Sequence, residues 1–157
     1  MVSGYGAGTG QAVARAALVA ACRAALAGED VDIGHGFRWP ILARDWVFAT
    51  DTDSDIEQAT MGPRRSMDET ITLTLSVGSW RPGHDEQAEL AAFNRAFDLL
   101  ARIQAHIREN DPELGGTVLW CLPSGSSSAG ATADSDTEQG RLTEISAQFV
   151  CRYRIRT

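Results

Sequence analysis

The chain has 157 residues, 43% of them hydrophobic and 22% charged, with a formal net charge of −7. That length accommodates one domain of ordinary size with a core of its own, and the acidic balance argues against general nucleic-acid affinity, which needs a basic footprint. No run of 18 apolar residues offers a transmembrane helix, and no basic segment precedes an apolar stretch at the N-terminus as a secretory signal requires.

Residues 1–10 carry Gly4, Gly6, Gly8 and Gly10 and read as a flexible arm. Residues 11–27 are alanine-rich with Val13, Leu18, Val19 and Leu26, and Gly28 follows. Alanine loses least on entering a helix and glycine suits its C-terminal end, so the stretch predicts a helix. Val31 to Ile33 reads as a short strand ended by Gly34 and Gly36, and Trp39-Pro40 as a turn, because the residue before proline is pushed out of the helical region. Trp46, Val47 and Phe48 form a short apolar run of the buried-strand type. The polar stretch that follows turns basic at Arg64-Arg65, with one more strand expected near Ile56 to Met61 before a Gly62-Pro63 turn.

From Glu69 to Val77 polar and apolar residues alternate strictly, which places Ile71, Leu73, Leu75 and Val77 on one face of a strand and Thr70, Thr72, Thr74 and Ser76 on the other. Arg81-Pro82-Gly83 reads as a turn. A long helix is expected from Asp85 to Asn110, closed by Pro112 and Gly115-Gly116, with Leu90, Phe93, Phe97, Leu100, Ile103 and Ile107 as its sheet-facing stripe. Arg95, Asp98 and Arg102 fall on its outer face at ion-pair spacing. Thr117 to Leu122 reads as a strand. Residues 124–140 hold no large apolar side chain and read as a flexible Ser/Gly loop. Leu142 to Arg156 is the longest two-residue alternation in the chain, with Ile145, Ala147, Phe149, Cys151, Tyr153 and Ile155 on one face and Arg152, Arg154 and Arg156 on the other.

The elements sum to an α+β fold: a mixed or antiparallel sheet of about four to five strands with two helices packed on one face. Residues 11–157 read as a single domain. The three cysteines, Cys22, Cys121 and Cys151, are far apart and odd in number, and read as buried free thiols in a reducing cytosol.

Chemical motifs are tested and set aside. The N-terminal glycines fail the G-x-G-x-x-G spacing and no strand precedes them. Asp51, Asp53 and Asp55 open like a calcium loop, but Ile56 stands where glycine is needed and Gly62 where a chelating glutamate belongs. His35, His84 and His106 never reach ligand spacing, and no G-x-S-x-G elbow exists. No catalytic, cofactor-binding or metal-ligating residue is therefore assigned. The sharpest charged features are Arg152, Arg154 and Arg156 on one strand face, and Arg64-Arg65. Arginines in such an array suit an interface, and they equally suit a solvated edge strand whose charges block aggregation.

Taken in order, these pieces resemble the tail terminator proteins of long-tailed bacteriophages, of the lambda U-like type. The matching features are the helix of residues 11–27, Asp45-Trp46-Val47-Phe48, Arg64-Arg65 ahead of Glu69-Thr-Ile-Thr-Leu-Thr-Leu, Arg81-Pro82-Gly83, the helix from Ala91 to Ile107, Leu114-Gly-Gly-Thr-Val-Leu-Trp120 and the arginine-rich last strand. The resemblance implies a structural virion protein with no enzymatic step. It would form a hexameric ring that caps the head-proximal end of the tail tube, with the tube protein and a head-side connector as partners and DNA passing through the lumen as cargo. It also implies assembly in the host cytoplasm and no membrane partner. The interface candidates are then Arg64, Arg65, Arg152, Arg154 and Arg156. Two other readings stay in view: a head-side neck or stopper protein, and a small α+β enzyme whose site is built from residues distant in sequence.

Overall fold

The computed structural model describes residues 5–38, 43–58, 66–134 and 139–156. The strictly alternating segment becomes the middle of β4 (Ser66–Pro82), flanked by β3 (Asp45–Gln58) and β6 (Gly140–Arg156), both antiparallel to it. Beyond β3 lies β2 (Val31–His35), parallel to it. β4 occupies one side of β6 over the full length of the latter, so β5 (Trp120–Thr132) and the two-residue β1 (Tyr5–Gly6) share the other side. The result is a mixed six-stranded sheet.

Helices α1 (Gln11–Ala25) and α2 (Glu86–Asn110) both lie on one face, α1 over β2 and β3, α2 over β4, β6 and β5. The core is the layer between: Ile71, Leu73, Leu75 and Val77 of β4 and the predicted apolar row of β6 meet Leu18, Val19 and Cys22 of α1 and Leu99, Ile103 and Ile107 of α2. Each of these fully buried aliphatic side chains contributes roughly 1.5–3 kcal/mol of burial. The expected α+β class, with both helices on one face of the sheet, is what the chain adopts.

Several expectations are corrected. Where the sequence predicts a loop over 124–140, β5 continues as far as Thr132, paired with β6. Low hydrophobicity limits what a segment can bury, but it does not stop its backbone from completing the ladder of a neighbouring strand. Thr117 to Leu119, expected as strand, precede β5, which starts at Trp120. Arg81 and Pro82 belong to β4, and the turn falls at Gly83, whose φ of 109° needs glycine. Ile56 begins no strand of its own: it lies near the end of β3, past a bulge between Ala49 and Thr52. Residues 59–61, Trp39-Pro40 and Gly62-Pro63 lie outside the described residues.

The apolar stripe of α2 is also corrected. Ala88, Ala92 and Ala96 face the sheet in its N-terminal half, while Leu90 and Phe93 are 53% and 41% exposed. Small residues let the helix approach closely, and the larger ones are turned to the flank. In the glycine-rich start of the chain, Tyr5–Gly6 pairs with Arg154 and Ile155 of β6, where a flexible arm was expected.

Candidate assembly surface

On the helix face, buried polar groups tie the elements together. Asp45 of β3 is buried and accepts from Ser79 at 2.7 Å, while Arg81 and Arg95 each reach it at 3.0 Å. Arg95 extends the network to Glu29 at 2.9 Å and Asp98 at 3.2 Å. It thus clamps one flank of α2 to the connection between α1 and β2. Arg95, whose hydrogen bonds are the leading cause, together with Arg102 holds the Glu29 carboxyl below the usual carboxylate range. A second such point is Glu69 of β4, fully buried beneath the N-terminus of α1. Its carboxylate accepts from the backbone N–H of Gly10 at 2.7 Å and from the Thr9 hydroxyl. No side chain within α1 caps its first turn, so Glu69 takes that role from across the fold. Tyr153 stands beside it; burial, with the Glu69 charge second, raises its phenol above the ordinary value. The Tyr153 ring fills the space where a side chain at position 10 would begin, 2.5 Å from an ideal Cβ.

The far face of the sheet is unevenly covered. Trp46 lies across Gly78 and donates to Ser76, which donates in turn to Glu144. Phe48 is buried on this face under Phe37, which meets it edge-on at 5.7 Å, and under the Arg38 guanidinium. Toward the other edge the surface is charged. The bidentate Arg154–Asp68 pair closes at 2.6 and 3.0 Å, and Arg152 donates to Thr70 at 2.7 Å while pairing with Glu57 and Asp68. Hydrogen bonds from Arg154 lead, ahead of the nearby charges, in lowering the Asp68 carboxyl. Arg152 and Arg154 of the predicted row are therefore neutralised by acids of the same chain. Arg156 ends β6 opposite Ser66, and Arg64 and Arg65 lie outside the described residues.

The features that sequence reasoning missed gather around β5. Among the described residues β5 pairs only with β6, so its outer backbone edge carries no strand. Its first residues are partly covered, since the Cys121 N–H donates to Pro112 O, whereas Ser126–Thr132 are exposed. Trp120 and Leu122 are 39% and 48% exposed on the far face. Above β5 on the helix face runs the flank of α2 that bears Leu90, Phe93 and Phe97, half a turn from the Arg95 and Arg102 flank; the Phe93 and Phe97 rings meet at 4.7 Å, tilted 44° to each other. The only sequence signal was the three- and four-residue spacing of these apolar residues, which does not say which half of the stripe is buried.

The cysteines converge although they are distant in sequence. Cys121 and Cys151 are register partners on β5 and β6, both buried, and the Cys22 thiol is close enough to feel Cys121. Burial leads, with Cys121 second, in pushing Cys22 up to about 12, and the hydrogen bond to Cys121 raises Cys151. Cys22 and Cys151 therefore stay protonated and unreactive. Among the described residues no three His, Cys, Asp or Glu side chains gather to hold a metal, and no helix is long and apolar enough to cross a membrane.

No protein-family model matches the chain, and no curated protein matches it. Among solved structures it is similar to a chain from the "Virion of native gene transfer agent (GTA) particle", at 14% identity over 89% of this chain and 93% of that one, with a TM-score of 0.46.

Proposed function

We propose that the chain is a structural virion subunit of the tail terminator kind. Copies of it, six by the pattern of the family it resembles, close a ring on the head-proximal end of a phage tail tube, end tube growth and present a surface for head–tail joining. The observation that carries this reading is the open sheet. Its two edges bear no further strand among the described residues, and the β5 edge is bordered by the exposed side chains of Leu90, Phe93, Trp120 and Leu122. A contact between unlike edges of successive copies is heterologous, and such contacts generate rings when the rotation closes. Tube protein and a head-side connector are the further partners, with DNA passing only as cargo. The acidic net charge of −7 per copy disfavours adhesion of that DNA to the ring. The ring works in the virion, after assembly in the host cytoplasm.

A head-side neck or stopper protein would use the same edges, and the partner distinguishes the two. Native mass spectrometry and light scattering, with and without purified tail tubes, followed by electron microscopy of capped tubes, test the reading. Six-fold rings at tube ends are expected. A chain that stays monomeric with tube ends present refutes it, and binding to the portal complex in place of the tube moves it to the neck.

A further inference from the structure

The pairing registers place two stretches of backbone at the same height on opposite edges of the sheet. Following rows across the ladders, Ser128 pairs with Ile145, Ile145 with Val77, Val77 with Val47 and Val47 with Ile33. By the same ladders Gly130 shares a row with Val31, and Ser126 with His35. All of these rows lie on the helix face, since Val77, Val47 and Ile145 belong to the core. Strand directions alternate from β3 through β4 and β6 to β5, and β2 runs with β3. A second copy laid beside the first in the same orientation therefore brings β5 and β2 together antiparallel, without a slip of register.

We propose that β5 residues Ser126–Thr132 of one copy pair with β2 residues Val31–His35 of the next, so that one sheet continues through successive subunits. This rests on the ring reading above and names its contact. The two edges fit in size. β5 presents the small residues Ser126, Ser128 and Gly130 on the helix face, the last beneath the Glu89 carboxylate; β2 presents Val31 and Ile33, only half-buried in the single chain. The helices above the strands fit as well. The flank of α2 with Leu90, Phe93 and Phe97 faces outward over β5, and the outward flank of α1 beside β2 carries Ala12 and Ala16, small enough for close approach, and Arg23. α1 descends from Glu69 to end near Ile33, whose carbonyl accepts from Arg23. α2 begins at that same level, since Glu89 accepts from Arg141 and its carboxylate lies where a side chain at position 130 would begin. Arg23 of one copy would thus face the acidic first turn of α2, Glu86 and Glu89, in its neighbour. Added strands gain main-chain hydrogen bonds, and the alternate side chains give specificity.

The three native thiols are buried, so an introduced surface cysteine is the only accessible one. The test uses two single variants of the full chain, Ser128→Cys and Ile33→Cys, under mild oxidation, alone and mixed, with light scattering of the wild-type chain run beside them. The proposal expects a disulfide-linked pair in the mixture and none in either variant alone. Cross-linking of Ser128→Cys with itself would show a two-fold β5–β5 contact and overturn it. Self-association without any cross-link in the mixture would leave the ring and overturn this contact. A chain that stays monomeric and never cross-links even with tail tubes added overturns both. As a second readout, Leu90→Glu with Phe93→Glu, both at exposed positions, should weaken association at least tenfold while leaving circular dichroism unchanged; unaltered association refutes the helix half of the contact.

Discussion

Replacing Glu69 by Gln tests whether a buried carboxylate, and not helix propensity, fixes the start of α1. Glu69 is fully buried and accepts two hydrogen bonds, from Gly10 N–H at 2.7 Å and from the Thr9 hydroxyl. The amide keeps one acceptor oxygen, which can serve Gly10, but turns an N–H2 toward Thr9, whose hydroxyl must reverse to accept. Each charge-assisted bond that becomes neutral loses about 1 kcal/mol. The favourable charge at the helix N-terminus removes another ~0.3–1 kcal/mol. Relief from burying a charge offsets part of this, so the net expectation is a loss of about 1–2 kcal/mol. Glu69→Ala should cost more, about 3 kcal/mol, because the Gly10 N–H is left without an acceptor in a cavity. Urea unfolding of the three proteins gives the differences directly, and the slope of each curve checks that the native state is unchanged. The thermal midpoint for Gln should fall by roughly 2–8 °C. Amide exchange at Tyr5 and Gly6 should accelerate, because Glu69 holds the segment that brings β1 to β6. If Glu69→Gln matches or exceeds the wild type, desolvation outweighs the cap and the reasoning fails.

Two further perturbations follow from the same physics. Gly78→Ala sets a Cβ 2.0 Å from the Trp46 ring, so the indole must leave its place over the strand; a loss of about 1–3 kcal/mol is expected for such overpacking, with a red shift in tryptophan emission, and an unshifted spectrum with full stability would refute it. Alkaline pH should weaken the fold through Cys22, whose folded value is raised to about 12 while an unfolded thiol titrates near ~8.5. The folded state then holds more protons between those values, so stability is intact below the lower one and falls as pH rises toward the upper one. Urea midpoints of wild type and Cys22→Ala, compared at pH 8 and pH 10.5, should converge as pH rises; a constant gap contradicts the assignment.

Legibility in the sequence followed periodicity. The β4 and β6 rows and the helix of residues 11–27 were readable because one face is apolar at a fixed spacing and nothing else competes. The flank of α2 was not, since Leu90 and Phe93 fit the three- and four-residue spacing as well as Ala92 and Ala96 do, and only tertiary packing selects the small set for the sheet. The arginine row is visible as a pattern, but the pairing of Arg152 and Arg154 with Asp68 and Glu57 depends on β3 and β4 register, which composition does not encode. The meeting of Cys22, Cys121 and Cys151 and the cap from Glu69 to Gly10 are likewise long-range facts with no local trace.

β5 has the weakest sequence signal of the long strands and carries most of the proposed ring contact, for one physical reason. Exposed strand edges are usually guarded by charge or by cover. The outer end of β3 alternates Asp51, Asp53, Asp55 and Glu57. Residues 126–132, Ser-Ser-Ser-Ala-Gly-Ala-Thr, have neither guard, and their lack of large apolar groups leaves strand register poorly specified. Such an edge gains little from random partners, because each added strand finds no side chains to pack on. It gains from a partner that brings its own apolar row and can rest a helix on Leu90, Phe93 and Phe97. In the proposed contact, specificity would therefore sit on α2 and in the incoming strand, while β5 would supply backbone hydrogen bonds.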